Sequence, residues 1–177
     1  GGRGFLNALG NSFLVSSATA LITTGLAFVL AYTIHYTNVG NRYKSFLRGA
    51  AVLPMLLPTI TYGFAIIYSF GKQGLLTRLF GRQIFNIYGF NGLLLGYVIY
   101  TLPISFMLLN NTMGYIDKKY MIVSRLMGGS GFRTFRMTVL RPLAGTLAAS
   151  FIQAFFLSFT DFGIPASVGG KFNVVAG

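Results

Sequence analysis

Four long runs without a charged residue constrain the fold of this chain. They are Gly4–Ile34, Gly49–Gly71, Gln83–Ile116 and Pro142–Thr160. A helix needs about 20 apolar residues to cross the roughly 30 Å hydrocarbon core of a bilayer. Every run reaches about that length, and only 9% of the residues are charged, far below a soluble domain. The sequence therefore predicts an all-α, polytopic transmembrane helical bundle that forms one membrane domain over residues 1–177.

The basic residues orient the predicted spans, which we place at 11–35, 49–70, 91–111 and 142–160. Nine of the 14 Lys and Arg residues fall in the loops 36–48 and 112–141, and five lie on the other side. Positive charge is enriched in cytoplasmic loops, so these two loops are predicted to be cytoplasmic. The N-terminus and the 71–90 connection would then lie outside. An external start without a signal peptide leads us to expect a piece of a longer protein.

Groups for catalytic chemistry are scarce. The chain has no cysteine, and His35, Asp117 and Asp161 are far apart in the sequence. No motif arranges them as a metal site or a catalytic set, so we expect neither an enzyme nor a bound cofactor. In a chain this apolar, the net charge of +12 is better explained by topology signals or anionic-lipid contacts than by nucleic acid.

The 112–141 loop contains a specific residue pattern. Gly128 is followed by Ser130, by Phe132–Arg136 and by Val139-Leu140, and Pro142 opens the next span. This pattern resembles the cytoplasmic loop of binding-protein-dependent ABC transporter permeases. The likeness continues along nearly the whole chain in three further stretches: Asn11–Ser16, Leu53–Gly71, and Ser158–Pro165 with Gly169–Asn173. The last stretch is similar to a subset that serves ferric iron, 2-aminoethylphosphonate and polyamine uptake.

Two positions depart from the pattern of that family. Ile122, Val123 and Ser124 stand where the family has Glu-Ala-Ala, so the acidic contact to its ATPase is missing. Arg141 stands where the proline usually falls. The first departure suggests one half of a degenerate pair, in which a second permease copy keeps the acid.

The resemblance implies a cytoplasmic coupling helix, and the residues of the loop agree with it. Gly128 permits a sharp turn, and Ser130 can cap a short helix that runs to about Met137. Phe132, Phe135 and Val139 then share one helix face, with Arg133 and Arg136 beside them. Such a face suits a groove on an acidic partner; the alternative is an amphipathic helix on anionic lipid. The resemblance favours docking, with Gly128, Ser130, Phe132, Arg133, Phe135 and Arg136 as the ATPase-coupling residues.

The function that the resemblance implies is that of a permease subunit of an ATP-driven importer in the inner cell membrane. Its partners would be ABC ATPase subunits, a second permease copy or fused half, an external solute-binding protein and the lipid bilayer. The solute path would include Asp161, Pro54, Pro58 and Pro103. The prolines could equally be packing kinks, and Asp161 could cap a turn before Gly163. The alternative function is an ATP-independent secondary transporter or channel, which would be expected to carry intramembrane charges. A membrane-embedded enzyme comes third.

Overall fold

The computed structural model describes residues 2–82, 87–116, 122, 126–128, 130–161, 163–169 and 173–174. The helices are α1 (Gly2–Tyr36), α2 (Asn41–Val52), α3 (Thr59–Phe70), α4 (Leu75–Phe80), α5 (Phe90–Tyr115), α6 (Gly131–Phe135), α7 (Arg141–Thr160) and α8 (Gly163–Val168). A 3₁₀ turn, Leu53–Leu56, follows α2, and a π-helical turn, Arg136–Leu140, joins α6 to α7. The predicted all-α class is confirmed for the residues that the structure describes.

Three stretches of helix are long and apolar enough to cross a membrane. They are Gly2–Tyr36, Phe90–Tyr115 and Gly131–Thr160. The predicted spans 11–35, 91–111 and 142–160 lie inside these stretches, which continue past the predicted ends. Helices longer than the apolar core are common in membrane proteins, because their ends extend into the interface or the helix tilts.

α1, α5 and α7 pack together as the core of the bundle. The hydroxyls of Thr23 and Thr101 form a buried 3.0 Å hydrogen bond between α1 and α5. A 2.9 Å bond from His35 to Asn110 joins the same helices further on, so the two run parallel. α7 runs antiparallel to α5, because Ser105 bonds Gln153 whereas Thr112, further along α5, bonds Thr146, which comes earlier in α7. α7 is therefore antiparallel to α1 as well, and a bond between Thr24 and Ser150 joins these two helices.

Small residues let α1 approach its neighbours closely. Its buried positions recur every three or four residues, at Ser12, Val15, Ser16, Thr19, Ala20, Thr23, Ala27, Ala31 and Ile34. Apart from Val15 and Ile34 these side chains are small, and small residues are typical of helix interfaces in lipid, where van der Waals packing and interhelical hydrogen bonds drive association. This agrees with the helix-to-helix packing that the small and hydroxylated residues of the first run predict.

The predicted span 49–70 is not one continuous helix. The segments Asn41–Leu56 and Thr59–Phe80 meet at an angle of 115°. Only the two together are long and apolar enough to cross a membrane. The break follows from the prolines. Leu57 has extended backbone angles (φ −119°, ψ 144°), as expected for a residue before proline, and Pro58 is the N-cap of α3.

The 71–90 connection contains the short amphipathic helix that the spacing of Leu75, Leu76, Leu79 and Phe80 predicts. α4 covers Leu75–Phe80 and ends at Gly81, whose φ of 71° is left-handed. Leu79 and Phe80 are exposed. A helix with such a face is suited to lie at a membrane interface, where aromatic and leucine side chains are buried among headgroups.

Candidate functional site: the capped helix and the Asp161 carboxylate

The turn before α6 has the geometry that its sequence predicts. Gly128 adopts a φ of 81°, a conformation that glycine reaches without steric cost. Ser130 is the N-cap of α6, and its Oγ accepts a 3.2 Å hydrogen bond from the Arg133 amide. Both predictions are confirmed. Ile122, at the position of the family's acid, is 60% exposed, while Asp117, Val123, Ser124 and Gly129 lie outside the described residues.

The predicted face of Phe132, Phe135 and Val139 is divided between the solvent side and the bundle. Phe132 is 71% exposed. Phe135 instead packs edge-on against the rings of Phe28 and Tyr32 on α1, with centroid distances of 6.0 and 5.7 Å. Val139 is fully buried in the core cluster. The prediction of one docking face made of all three residues is therefore wrong, because Phe135 packs on α1 and Val139 lies in the core.

α6 continues into the last long helix without a loop. The π-helical turn Arg136–Leu140 connects them, and the Arg141 amide donates to the Arg136 carbonyl in the i→i+5 pattern. Pro142 lies at the start of α7 and lacks the amide hydrogen that an α-helix would direct to the Thr138 carbonyl. Widening the preceding turn accommodates this loss. The helix predicted to reach about Met137 is thus rigidly connected to a bundle helix.

Exposed basic residues occur in α6, in the π-helical turn that follows it and in α2. Arg133 and Arg136 are exposed, as predicted for the flanks of the coupling helix. Arg42 and Arg48 on α2 are exposed as well. An exposed aromatic ring, Phe132, beside an exposed guanidinium group can bind a groove with acidic rims, or an anionic surface.

The three prolines of the predicted solute path are not brought together in one site. Pro54 lies in the 3₁₀ turn and Pro58 begins α3, so both belong to the break. Pro103 is buried inside α5. At the break, the Tyr62 hydroxyl donates to the carbonyl of Pro54 and also contacts the carbonyl of Leu57 at 3.1 Å. A cavity of about 310 Å³ lies beside this contact, lined by Pro54, Leu57, Tyr62, Ser69 and neighbouring apolar residues.

Asp161 has two kinds of neighbour. Its Oδ2 accepts a 3.0 Å hydrogen bond from the Ile164 amide, so it caps α8 as the turn interpretation predicts. The phenol groups of Tyr62, Tyr97 and Tyr100 lie within electrostatic range of the same carboxylate. These tyrosines were not among the site residues predicted from the sequence. The spacing of Tyr97 and Tyr100, three apart on one helix face, was the available signal.

The side chain of Ile164 fixes this capped turn to α5. A Cβ added at Gly96 would lie 2.7 Å from the Ile164 Cγ2 atom, so only glycine allows the two elements to approach this closely. Gly96 therefore has a packing role in this structure. Among the residues that the structure describes, no three His, Asp or Glu side chains are grouped to hold a metal ion.

Comparison with known proteins places the chain in a family. Residues 22–175 match the family described as binding-protein-dependent transport system inner membrane component. The ferric transport system permease protein FbpB of Actinobacillus pleuropneumoniae is 28% identical over 99% of this chain and 26% of its own length. The molybdenum transport system permease protein ModB of Azotobacter vinelandii is 29% identical over 86% of this chain and 69% of its own length.

A third relative is named for a different solute. The thiamine transport system permease protein ThiP of Salmonella typhimurium is 28% identical over 90% of this chain and 30% of its own length. The chain thus spans only about a quarter of the length of the ferric relative. The family match covers most of the chain, including the capped helix α6 and the Asp161 turn, and the chain belongs to the binding-protein-dependent ABC transporter permeases, the inner membrane components of these transport systems.

Proposed function

We propose that this chain is part of the membrane-spanning permease of an ATP-driven importer, which takes up a small solute delivered by an external binding protein. The observation that carries the proposal is the α6 region: a Gly128 turn, a Ser130 cap and an exposed Phe132 at the end of a helix that enters the bundle. A rigid helix that is exposed at one end and packed at the other can transmit motion from a soluble partner into the spans.

Phe132 and Arg133 are the residues that we propose to contact the ATPase subunit. Phe132 is the exposed aromatic side chain of α6, and aromatic and arginine residues are the commonest anchors of protein interfaces. Phe135 has a different role in this proposal. Its contacts with Phe28 and Tyr32 hold α6 against α1, so a displacement of α6 moves α1 with it.

The solute is proposed to be ferric iron or another small cationic solute. The ferric relative covers nearly all of this chain, and the Asp161 carboxylate lies within electrostatic range of Tyr97 and Tyr100. A carboxylate and the faces of aromatic rings both attract cations. The break at Pro54 and Pro58 and the part of α5 around Pro103 are proposed to bend as access alternates between the two sides. A second permease half would complete the path.

Uptake by the reconstituted transporter tests this proposal. Proteoliposomes containing the full-length permease with its ATPase and binding protein should accumulate radiolabelled ferric iron only when ATP is supplied. ATP-driven accumulation of thiamine or molybdate instead would retain the importer and reject the cationic solute. Accumulation driven by an ion gradient without ATP would instead establish the alternative, a secondary transporter.

A further inference from the structure

Arg136 and Arg141 line an open cleft of about 430 Å³ at the beginning of α7, with Met137 and Leu140 between them. The cleft lies on the side of the helix that faces away from α1 and α5. Arg136, Met137 and Arg141 are exposed there, whereas Thr138, Val139 and Leu143 on the opposite side are buried. Two positive groups therefore flank an apolar floor on the outer surface of the bundle.

The π-helical turn creates this arrangement. In an α-helix each residue advances about 100°, so residues five apart would point about 140° away from each other. Here the Arg141 amide bonds the Arg136 carbonyl, which places the two residues almost one above the other on consecutive turns. The missing amide hydrogen of Pro142 favours this wider turn. A local backbone feature that the sequence encodes thus brings two arginines to one cleft.

The guanidinium groups have no acidic partner among the described residues. Asp161 is the one acid in that part of the chain, and it lies at the other end of α7. Arg141 Nη1 donates to Met137 Sδ at 3.4 Å, and a thioether is only a weak acceptor. Most of the ten N–H donors that two arginines carry thus remain available.

The chemistry and the position of the cleft fit one occupant. The uncharged run Pro142–Thr160 begins directly after Arg141, so the cleft lies at the boundary between the apolar core and the headgroups. Arginine binds phosphate groups through paired hydrogen bonds, and basic pockets beside membrane helices bind anionic headgroups. Met137 and Leu140 offer an apolar surface to the glycerol and upper acyl region. An acidic protein surface would not need the apolar side chains of Met137 and Leu140 in the cleft.

We propose that the cleft of Arg136, Met137, Leu140 and Arg141 binds the headgroup of an anionic phospholipid. The bound phosphate fixes the π-helical turn at the membrane surface. It thereby sets the distance of α6 and Phe132 from that surface. This assigns Arg136 to lipid, although the sequence pattern placed it in the ATPase-coupling set. Phe132 and Arg133 keep the coupling role.

Lipid binding to the purified full-length permease in detergent tests the proposal, with native mass spectrometry counting bound lipids. Phosphatidylglycerol should bind more tightly than phosphatidylcholine. The double substitution Arg136→Gln with Arg141→Gln should weaken phosphatidylglycerol binding at least about tenfold. The matched control, Arg42→Gln with Arg48→Gln, removes the same charge from α2 and should bind as the unsubstituted protein does. Equal binding of the two lipids, or equal loss in both double variants, would overturn the assignment.

A second variant examines the geometry without removing charge. Pro142→Ala restores the missing amide hydrogen and allows an ordinary α-helix, which would turn Arg141 away from Arg136. Phosphatidylglycerol binding should weaken severalfold, and unchanged binding would reject the role of the π-helical turn. Millimolar inorganic phosphate should compete poorly, because it cannot use the apolar floor. Full displacement by phosphate would assign the cleft to a free anion instead.

Discussion

The Asp161 carboxylate and the Ile164 amide form a 3.0 Å hydrogen bond that begins α8, and the Ile164 side chain packs directly on Gly96. The acid therefore orients this turn against α5. Tyr97 and Tyr100 lie within electrostatic range of the same carboxylate. Capping the turn and attracting a cation need different properties of this side chain, namely an acceptor oxygen and a negative charge, so substitutions can separate the two roles.

Asp161→Asn keeps the acceptor oxygen and the size but removes the charge. If Asp161 attracts a cationic solute, uptake should fall severalfold while protein level and ATPase binding stay normal. Asp161→Leu removes the cap as well, and loss of an N-cap costs about 0.5–2 kcal/mol, so the amount of folded protein should decrease. Normal uptake by Asp161→Asn together with loss of folded protein for Asp161→Leu would leave only the capping role.

Phe132 and Phe135 should respond differently to substitution. Phe132 is exposed, so Phe132→Asp should leave the permease folded and inserted but release the ATPase from the membrane. Truncation of an interface anchor often costs more than about 2 kcal/mol. Co-purification with the ATPase and ATP-driven uptake are the measurements. If both survive Phe132→Asp, the docking assignment is wrong.

Phe135→Ala is the matched comparison at the packed end of α6. It removes two ring contacts with α1, and aromatic pairs contribute about 0.5–1.5 kcal/mol beyond their buried area. The thermal unfolding temperature of the purified permease should therefore decrease in this variant and stay nearly constant in Phe132→Ala. A larger decrease for Phe132→Ala would mean that the structure assigns the two rings to the wrong sides.

The orientation of the chain can be measured with introduced cysteines, because the sequence contains none. Cysteine at Lys44 or Arg133 should resist a membrane-impermeant thiol reagent in intact cells, while cysteine at Arg78 should react. Arg78 and Arg133 are both exposed, so protection reports the side of the membrane rather than burial. Labelling at Arg133 with protection at Arg78 would invert the topology and remove the proposed ATPase contact.

Tyr62→Phe tests the break between α2 and α3. The variant keeps the ring but removes the hydroxyl that donates to the Pro54 carbonyl and lies 3.1 Å from the Leu57 carbonyl. A typical hydrogen bond contributes about 0.5–1.5 kcal/mol net, so a modest decrease in thermal stability is expected. If the break moves during transport, the uptake rate should change by more than the stability does. An unchanged rate would indicate a static kink.

The sequence by itself determined the features that depend on local chemistry. Uncharged runs of about 20 residues require helices in lipid, and a serine after glycine predicts the cap at Ser130. Proline fixes backbone angles wherever it occurs, so interruption at Pro58 and an unusual turn before Pro142 follow from residue type. Membership of the permease family also rests on sequence.

The tertiary structure alone decided which side of each helix faces a neighbour. Phe132, Phe135 and Val139 share a helix face by spacing, yet Phe135 packs on α1, Val139 is buried in the core cluster and Phe132 stays exposed. Asp161 is about 60 residues from Tyr97 and Tyr100 in the chain, and only the packing of α8 on α5 brings them within electrostatic range of each other. Periodicity defines a face but not its partner, because the partner depends on contacts between residues far apart in sequence.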